Sequence, residues 1–594
     1  MHVFASSETA SPSLADLTDH PEAVWPPELL RLADEPTERL ATAAEQGDAR
    51  NCAALALKHL YGRDTVVNWM LAAFWLEEAA RNGLAHAQYA LGEITYAGLG
   101  AAQSFEEAAR WFTHAAAQDH VTAQLRAGWC YETGTGVQAD LATGIQHYTR
   151  AAEGGLMEAQ WILGSLLLAG RAGTADPAQA APWLGKAAEG GHREAQYVYA
   201  RLLQEGGGVE PDAAAAAAYF RKAAQKGHAL AQLRLGACLE DGLGVPQDEA
   251  QAANWYERAA RQGVAPASFR LGLLLEAGRG VPKDEPRAVE CHSAAAALGY
   301  ALAQAHLANC LESGRLGLAV DLGEAAKWFR AAADQGSASA QYRLGLLLDG
   351  GRGVPRDQRE AVLWFKRSAE AGCLEAQLRL AEYCERGRGT PVDLVEASRW
   401  WREAARQGSV DAQYRVACLY QDGAGVSQDP AEAARWLEQA AGHGHVAAQA
   451  ALADNLLQGR GLPRDPARAV RWLRQAAEQG HLDAIARLGD CHEHGLGVEV
   501  DLPAAARWYS LAAMEGHTDS MARLARCHQL GQGLALSASE AYKWYSLATA
   551  LGRGDCRPHR DALLGQLAPK EIREAQAASS QLFPTLRQKL LRRR

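Results

Sequence analysis

A tryptophan that returns every 36 residues constrains this chain more than any other feature. It occurs at Trp75, Trp111, Trp183, Trp255, Trp328, Trp364, Trp400, Trp436, Trp472, Trp508 and Trp544, with His147, Tyr219 and Cys291 filling the gaps in register and one step of 37 residues before Trp328. An Ala-Gln pair keeps the same period, from Gln88, Gln124, Gln160, Gln196 and Gln232 through Gln304, Gln341, Gln377 and Gln413 to Gln449, with Ser268, Ile485 and Met521 as variants. Self-similarity at 20–50 residues belongs to arrays in which one supersecondary unit is stacked many times.

The copy from Ala229 to Val264, ALAQLRLGACLEDGLGVPQDEAQAANWYERAARQGV, predicts how the unit folds. Ala231, Leu235, Gly236 and Leu239 recur at helical spacing, which makes the first half an amphipathic helix. Gly242-Leu243-Gly244 ends that helix, because glycine accepts the left-handed conformation needed just past a helix terminus. Asp248 then caps a second helix that turns Ala252, Trp255, Tyr256, Ala259 and Ala260 inward and stops at Gly263.

The cap position tests the register, since it can fail at every copy. It holds Asn68, Ser104, Asp140, Asp176, Asp212, Asp248, Asp284, Asp321, Asp357, Asp393, Asp429, Asp465, Asp501 and Ser537, all side chains that accept a bond from free helix-start amides. An all-α chain of fourteen helix pairs from about Asp48 to Gly552 follows. Ala-Ala doublets such as Ala79-Ala80 and Ala476-Ala477 let helices approach closely, with the Trp expected to fill the space between pairs. No unit buries its apolar face alone, so stacking must hold the fold.

The pattern A-x-A-Q-x-x-L-G, G-x-G-V-x-x-D and A-x-x-W-Y-x-x-A-A-x-x-G, matched almost completely by Ala229–Gly263 and recognisable over the array, resembles the Sel1-like repeats, relatives of the tetratricopeptide repeats. The resemblance implies a right-handed α-solenoid superhelix of bacterial type that serves as an adaptor or scaffold for protein complexes.

Around the array, residues 1–24 are expected to form a flexible acidic lead and 25–47 a helical half-repeat cap. After the array of residues 48–552, residues 553–594 are expected to form a helical cap. Its two short helices break at Pro569, and Arg587, Lys589, Arg592, Arg593 and Arg594 make a basic tip. The first residues lack a basic leader and an apolar run, which predicts no signal peptide. A net charge of −10 gives the chain no general attraction to nucleic acid or an anionic membrane. Eleven scattered Cys without C-x-x-C argue against a disulfide scaffold or zinc ribbon and fit a reducing, cytoplasmic location. The uncharged stretch of Cys291–Leu311 that mimics a membrane span is divided by the register between two helices.

Several features invite sharper chemistry. Gly-Arg-Gly turns at Arg279, Arg352, Arg388 and Arg460 lack the preceding strand and the Gly-Lys-Ser/Thr of a phosphate loop, so no nucleotide cofactor is expected; their arginines, with Arg315, mark one edge of the stack. His120, His192, His228, His445, His481 and His517 share one position. Homologous residues of stacked repeats lie on the order of 10 Å apart, too far for ligands that must converge within about 2.1 Å of a zinc ion. Cys491-His492-Glu493-His494 lacks the i, i+4 histidine pair of a zinc protease, and Cys130, Cys238, Cys310, Cys491 and Cys527 sit where other copies carry Ile94, Leu202 or Leu274. No catalytic constellation, cofactor site, metal site or small-molecule substrate is predicted.

The interaction candidate is an arginine two residues after the Ala-Gln pair, at Arg126, Arg234, Arg270, Arg343, Arg379, Arg415, Arg487 and Arg523. At 100° per residue it lies opposite the helix's apolar stripe and is expected to face water. Glu375, Asp411, Asp483 and Asp519 stand four residues before the last four and are expected to pair with them. Arg126, Arg234, Arg270 and Arg343 have no such acid and, with Arg279 and Arg352, are the predicted contacts for an acidic protein or peptide in the superhelical groove. A non-enzymatic scaffold is the function expected first, a regulatory subunit docking on a specific enzyme second, and a hydrolase or metal enzyme near His292 or His492 third.

Overall fold

The computed structural model describes residues 24–171 and 173–592. The expected acidic lead, apart from its last residue, and Arg593 and Arg594 lie outside the described residues. The chain divides into two compact units, residues 1–298 and 299–594. Each is built of antiparallel helix pairs, and no strand occurs among the described residues.

In every repeat the second helix begins at the expected cap. Asp248, for example, accepts from the Gln251 amide at 2.9 Å to start Glu249–Arg261, and Asp393 does so for Leu394–Arg406. The first helices, such as Ala229–Asp241 and Ala338–Gly350, end at a glycine with φ near +70°. The second glycine of each Gly-x-Gly turn also has a positional task. A Cβ at Gly244 would stand 2.0 Å from the carbonyl oxygen of Ala213, so only glycine lets this turn lie against the start of the preceding repeat's second helix.

The residue that fills the core is the one after the repeated tryptophan. Phe112, Tyr148, Phe220, Tyr256, Phe329, Phe365 and Tyr509 are fully buried, whereas most of the tryptophans, including Trp255, Trp328 and Trp472, are only half-buried at the rim. Trp364, Trp400 and Trp544 are the buried exceptions among those eleven. This corrects the expected role of the tryptophans: the ring that enters the space between helices is aimed at the glycine of A-x-A-Q-x-x-L-G. A Cβ on Gly236 would lie 2.6 Å from the Tyr256 ring, and one on Gly345 2.5 Å from that of Phe365. Glycine seats the ring against bare backbone.

The Ala-Gln glutamine is a staple. Gln232 and Gln377 are buried, and each donates Nε2–H to a carbonyl of the preceding repeat's second helix, at Ala224 (3.1 Å) and Ala369 (3.2 Å). Their Oε1 atoms accept from Gln262 (2.7 Å) and Gln407 (2.9 Å), so a buried amide is satisfied at both ends.

Two short helices, Pro27–Leu32 and Thr37–Glu45, precede the first pair and contribute Leu29 and Leu40 to its core, beside Trp25 from the segment before them. At the other end a short helix, Arg557–Ala562, is followed by a second, separated as expected, that starts at Pro569. A single helix, Pro569–Leu591, runs through the segment expected to hold only a short second helix. Proline is suited to the first helical position, where its missing amide hydrogen costs nothing. Lys589 of the expected basic tip binds Glu515 at 2.8 Å.

Candidate functional site

The arginine ladder stands on the first helices, and its partners lie one repeat back. Six first helices carry an acid five or eight residues after the Ala-Gln position that the arginine of the following repeat reaches, Glu93 with Arg126 being one. Arg270 meets Glu240 (3.4 Å), Arg343 meets Glu312 (3.8 Å) and Arg487 meets Asp454 (3.2 Å), while Arg415 pairs with Glu385 and Arg523 with Asp490. The expected i, i+4 pairs within a helix do not form. Asp411 and Asp483 turn to His445 (3.5 Å) and His517 (3.1 Å) of the next repeat, Asp519 to Arg553, and Glu375 accepts from the Cys373 thiol at 3.3 Å. The helical wheel placed these side chains against their own helix only; stacking supplies a nearer acid from the neighbour.

Arg126 is the sharpest correction. It was expected in water and is 1% exposed. Its Nε and Nη2 each donate to a Glu93 carboxylate oxygen at 2.5 Å, and the guanidinium lies 5.2, 5.3 and 5.8 Å from the rings of Tyr96, Phe112 and Trp129. Burial works against its charge, but the Glu93 hydrogen bonds and charge outweigh it and hold the pKa above the ordinary guanidinium value. Arg126 therefore holds two repeats together and presents nothing to a partner.

The other five predicted contacts are exposed, and four of them gather into two like constellations, one in each unit. In the first, Glu240 at the end of Ala229–Asp241 takes Arg270 at 3.4 Å and Arg279 at 3.7 Å, with Arg279 also 2.6 Å from Glu249. The Tyr256 hydroxyl donates to Glu240 at 2.8 Å and fixes it from beneath. In the second, Glu312 lies 3.8 Å from both Arg343 and Arg352. In the first group Glu249 balances Arg279; the second leaves one positive charge over, shared by the half-exposed guanidinium groups of Arg343 and Arg352. Arg343 and Glu312 also border an open recess of about 430 Å³ lined with His306, Asn309, Ser313 and Arg315. Arg234 is exposed, and no carboxylate among the described residues lies within ion-pair distance of it.

The groups considered for catalysis are placed otherwise. His292 is fully buried, taking the core position of Tyr256 and Phe365, with Nε2 3.6 Å from Glu276. Burial pushes the Cys491 thiol up to about 11, and those of Cys130 and Cys527 likewise, so these sulfurs stay protonated and pack as small apolar groups. The six aligned histidines are helix caps, a role the sequence analysis missed although they stand one residue before each first helix. His120, His192, His228, His445, His481 and His517 each accept an amide hydrogen bond at Nδ1 over 3.1–3.2 Å.

The family model described as Sel1 repeat matches fourteen times, over residues 52–84, 85–120, 121–156, 158–192, 193–228, 229–264, 265–300, 301–337, 338–373, 374–409, 410–445, 446–481, 482–517 and 518–552. Among solved structures, c5321, a protective antigen of uropathogenic Escherichia coli displaying an SLR fold, is 27% identical over 88% of this chain and 97% of its own, with a TM-score of 0.45. A Sel1 repeat protein from Oxalobacter formigenes is 33% identical over 52% of this chain and 89% of its own, with a TM-score of 0.38. No curated protein matches the chain.

Proposed function

The chain belongs to the Sel1 repeat family, whose members generally act as protein-interaction scaffolds, and on that premise we propose that it is a non-enzymatic scaffold binding an acidic protein or peptide through the exposed faces of its first helices. The observation that carries this reading is the unbalanced positive charge of Arg343–Glu312–Arg352 and of Arg234, with the exposed guanidinium of Arg270 beside them in sequence order. Glu312 stands between two guanidinium forks without neutralising both, so a partner's carboxylate adds to donors that are already exposed. Exposed charges of this kind act chiefly on encounter rate and choice of partner.

A reducing, cytoplasmic setting suits the eleven free cysteines. Among the described residues no helix is long and apolar enough to cross a membrane. The test is affinity capture from the native host with wild-type chain and with R234E/R270E/R343E, followed by binding measurements on each recovered protein. Capture of an acidic partner that the variant binds at least tenfold more weakly at low salt supports the proposal. Equal binding by the two refutes it.

A further inference from the structure

A second basic ladder lies on the second helices, on a surface the first-helix arginines do not share. The position six residues after the cap points most directly away from the core. In four successive repeats of the unit of residues 299–594 it holds Arg399, Arg435, Arg471 and Arg507, all exposed. The same position in the unit of residues 1–298 reads Phe74, Arg110, Gln146, Pro182, Ala218, Asn254 and Glu290, with no such succession. Local acids account for little of the ladder. Glu432 pairs with Arg435 at 2.6 Å, Glu438 is held by Arg468 at 2.9 Å, and Glu396 by Lys366 at 3.3 Å. Among the described residues no carboxylate reaches Arg399, Arg471 or Arg507, and the helix Leu502–Met514 contains no acid at all. Beside each of the last three rungs stands a half-buried indole, Trp436, Trp472 and Trp508.

We propose that this Arg–Trp ladder is a docking surface for an acidic peptide segment in the polyproline II form, with a carboxylate at every third residue. Packed helices repeat on the order of 10 Å. A polyproline II chain brings every third side chain to the same face after about 9.3 Å, so one carboxylate meets each rung, whereas an extended strand turns every other residue to the opposite face. The half-buried indoles offer the flat apolar shelves on which proline rings rest in this mode of recognition. The net charge of −10 disfavours a long continuous polyanion such as nucleic acid.

The probe is a labelled peptide of six Pro-Ala-Glu triplets, measured by fluorescence anisotropy against the full chain at low and moderate salt. Saturable binding is expected, weakened at least tenfold by R399E/R471E/R507E and by R399Q/R471Q/R507Q. It should also be weakened tenfold when the glutamates are moved to every fourth position. Unaltered melting of the variants secures the comparison. Wild-type affinity in both ladder variants, equal binding of the respaced peptide, no binding by the wild type, or tighter binding of a single-stranded oligonucleotide would each overturn the proposal.

Discussion

Replacing Arg126 by Met separates a structural arginine from a partner-binding one. Both members of its pair with Glu93 are almost completely buried, and two hydrogen bonds of 2.5 Å join them. Removing one partner of a buried ion pair costs about 3–5 kcal/mol, because the remaining charge keeps its desolvation penalty without the compensating attraction. The guanidinium's contacts with Tyr96, Phe112 and Trp129 add to the loss, while the Met side chain retains part of the packing. We therefore expect R126M to lose about 3–5 kcal/mol and E93L/R126M to recover at least half of that, since an apolar replacement of a whole buried pair is often neutral. Stacked arrays need not unfold in one step, so urea denaturation should be joined to native-state hydrogen exchange on the helices Ala85–Ala97 and Val121–Thr133. A cost for R126M within about 0.5 kcal/mol of zero, as for an exposed substitution, would refute the reasoning.

The core assignment predicts that Phe365→Ala costs about 3–5 kcal/mol by opening a cavity against Gly345, read by urea denaturation; a cost under about 1 kcal/mol would contradict it. Gln377→Leu should cost about 1–2 kcal/mol in the same assay, through the bonds lost to Ala369 and Gln407. The histidine caps predict a pH dependence. Burial, with His86 nearby, lowers His120 to about 4, so the unfolded chain takes up the proton first. The stability this cap contributes is complete above about pH 6.5 and is lost as pH falls toward 4, where Nδ1 must carry a proton and can no longer accept the Ala123 amide. His120→Asn, which keeps an acceptor without titrating, should flatten that part of a melting-temperature profile; an unchanged profile would count against the cap's role.

The helix pairs were legible because their signals are local. A cap, a glycine stop and a 3.6-residue stripe are each decided within a few residues, and Asn68 or Ser537 served as well as Asp248. What lay between repeats was not. The wheel that sent Arg126 into water had no way to know that Glu93, 33 residues earlier, would cover it. The tryptophan is the most conspicuous repeated residue, yet its neighbour fills the core and varies among Phe, Tyr, Leu, His and Trp, since the glycine opposite Phe112, Leu184, Tyr256 or His292 admits several shapes. The Ala-Gln pair marks the period, and a buried glutamine so regularly placed also signals a main-chain staple. Pairings such as Arg270–Glu240–Arg279 needed both the register and the turn geometry, which only the folded stack combines.

The central claim, that the exposed faces of the first helices receive a protein partner, is tested most directly by site-specific photo-crosslinking. A benzophenone amino acid placed singly at positions 234, 270 and 343, and at positions 254 and 290 on second helices as controls, is irradiated with the partner recovered by affinity capture. The account predicts covalent adducts from the first three positions and little from the controls. Adducts confined to 254 and 290, with none from 234, 270 or 343, would contradict it.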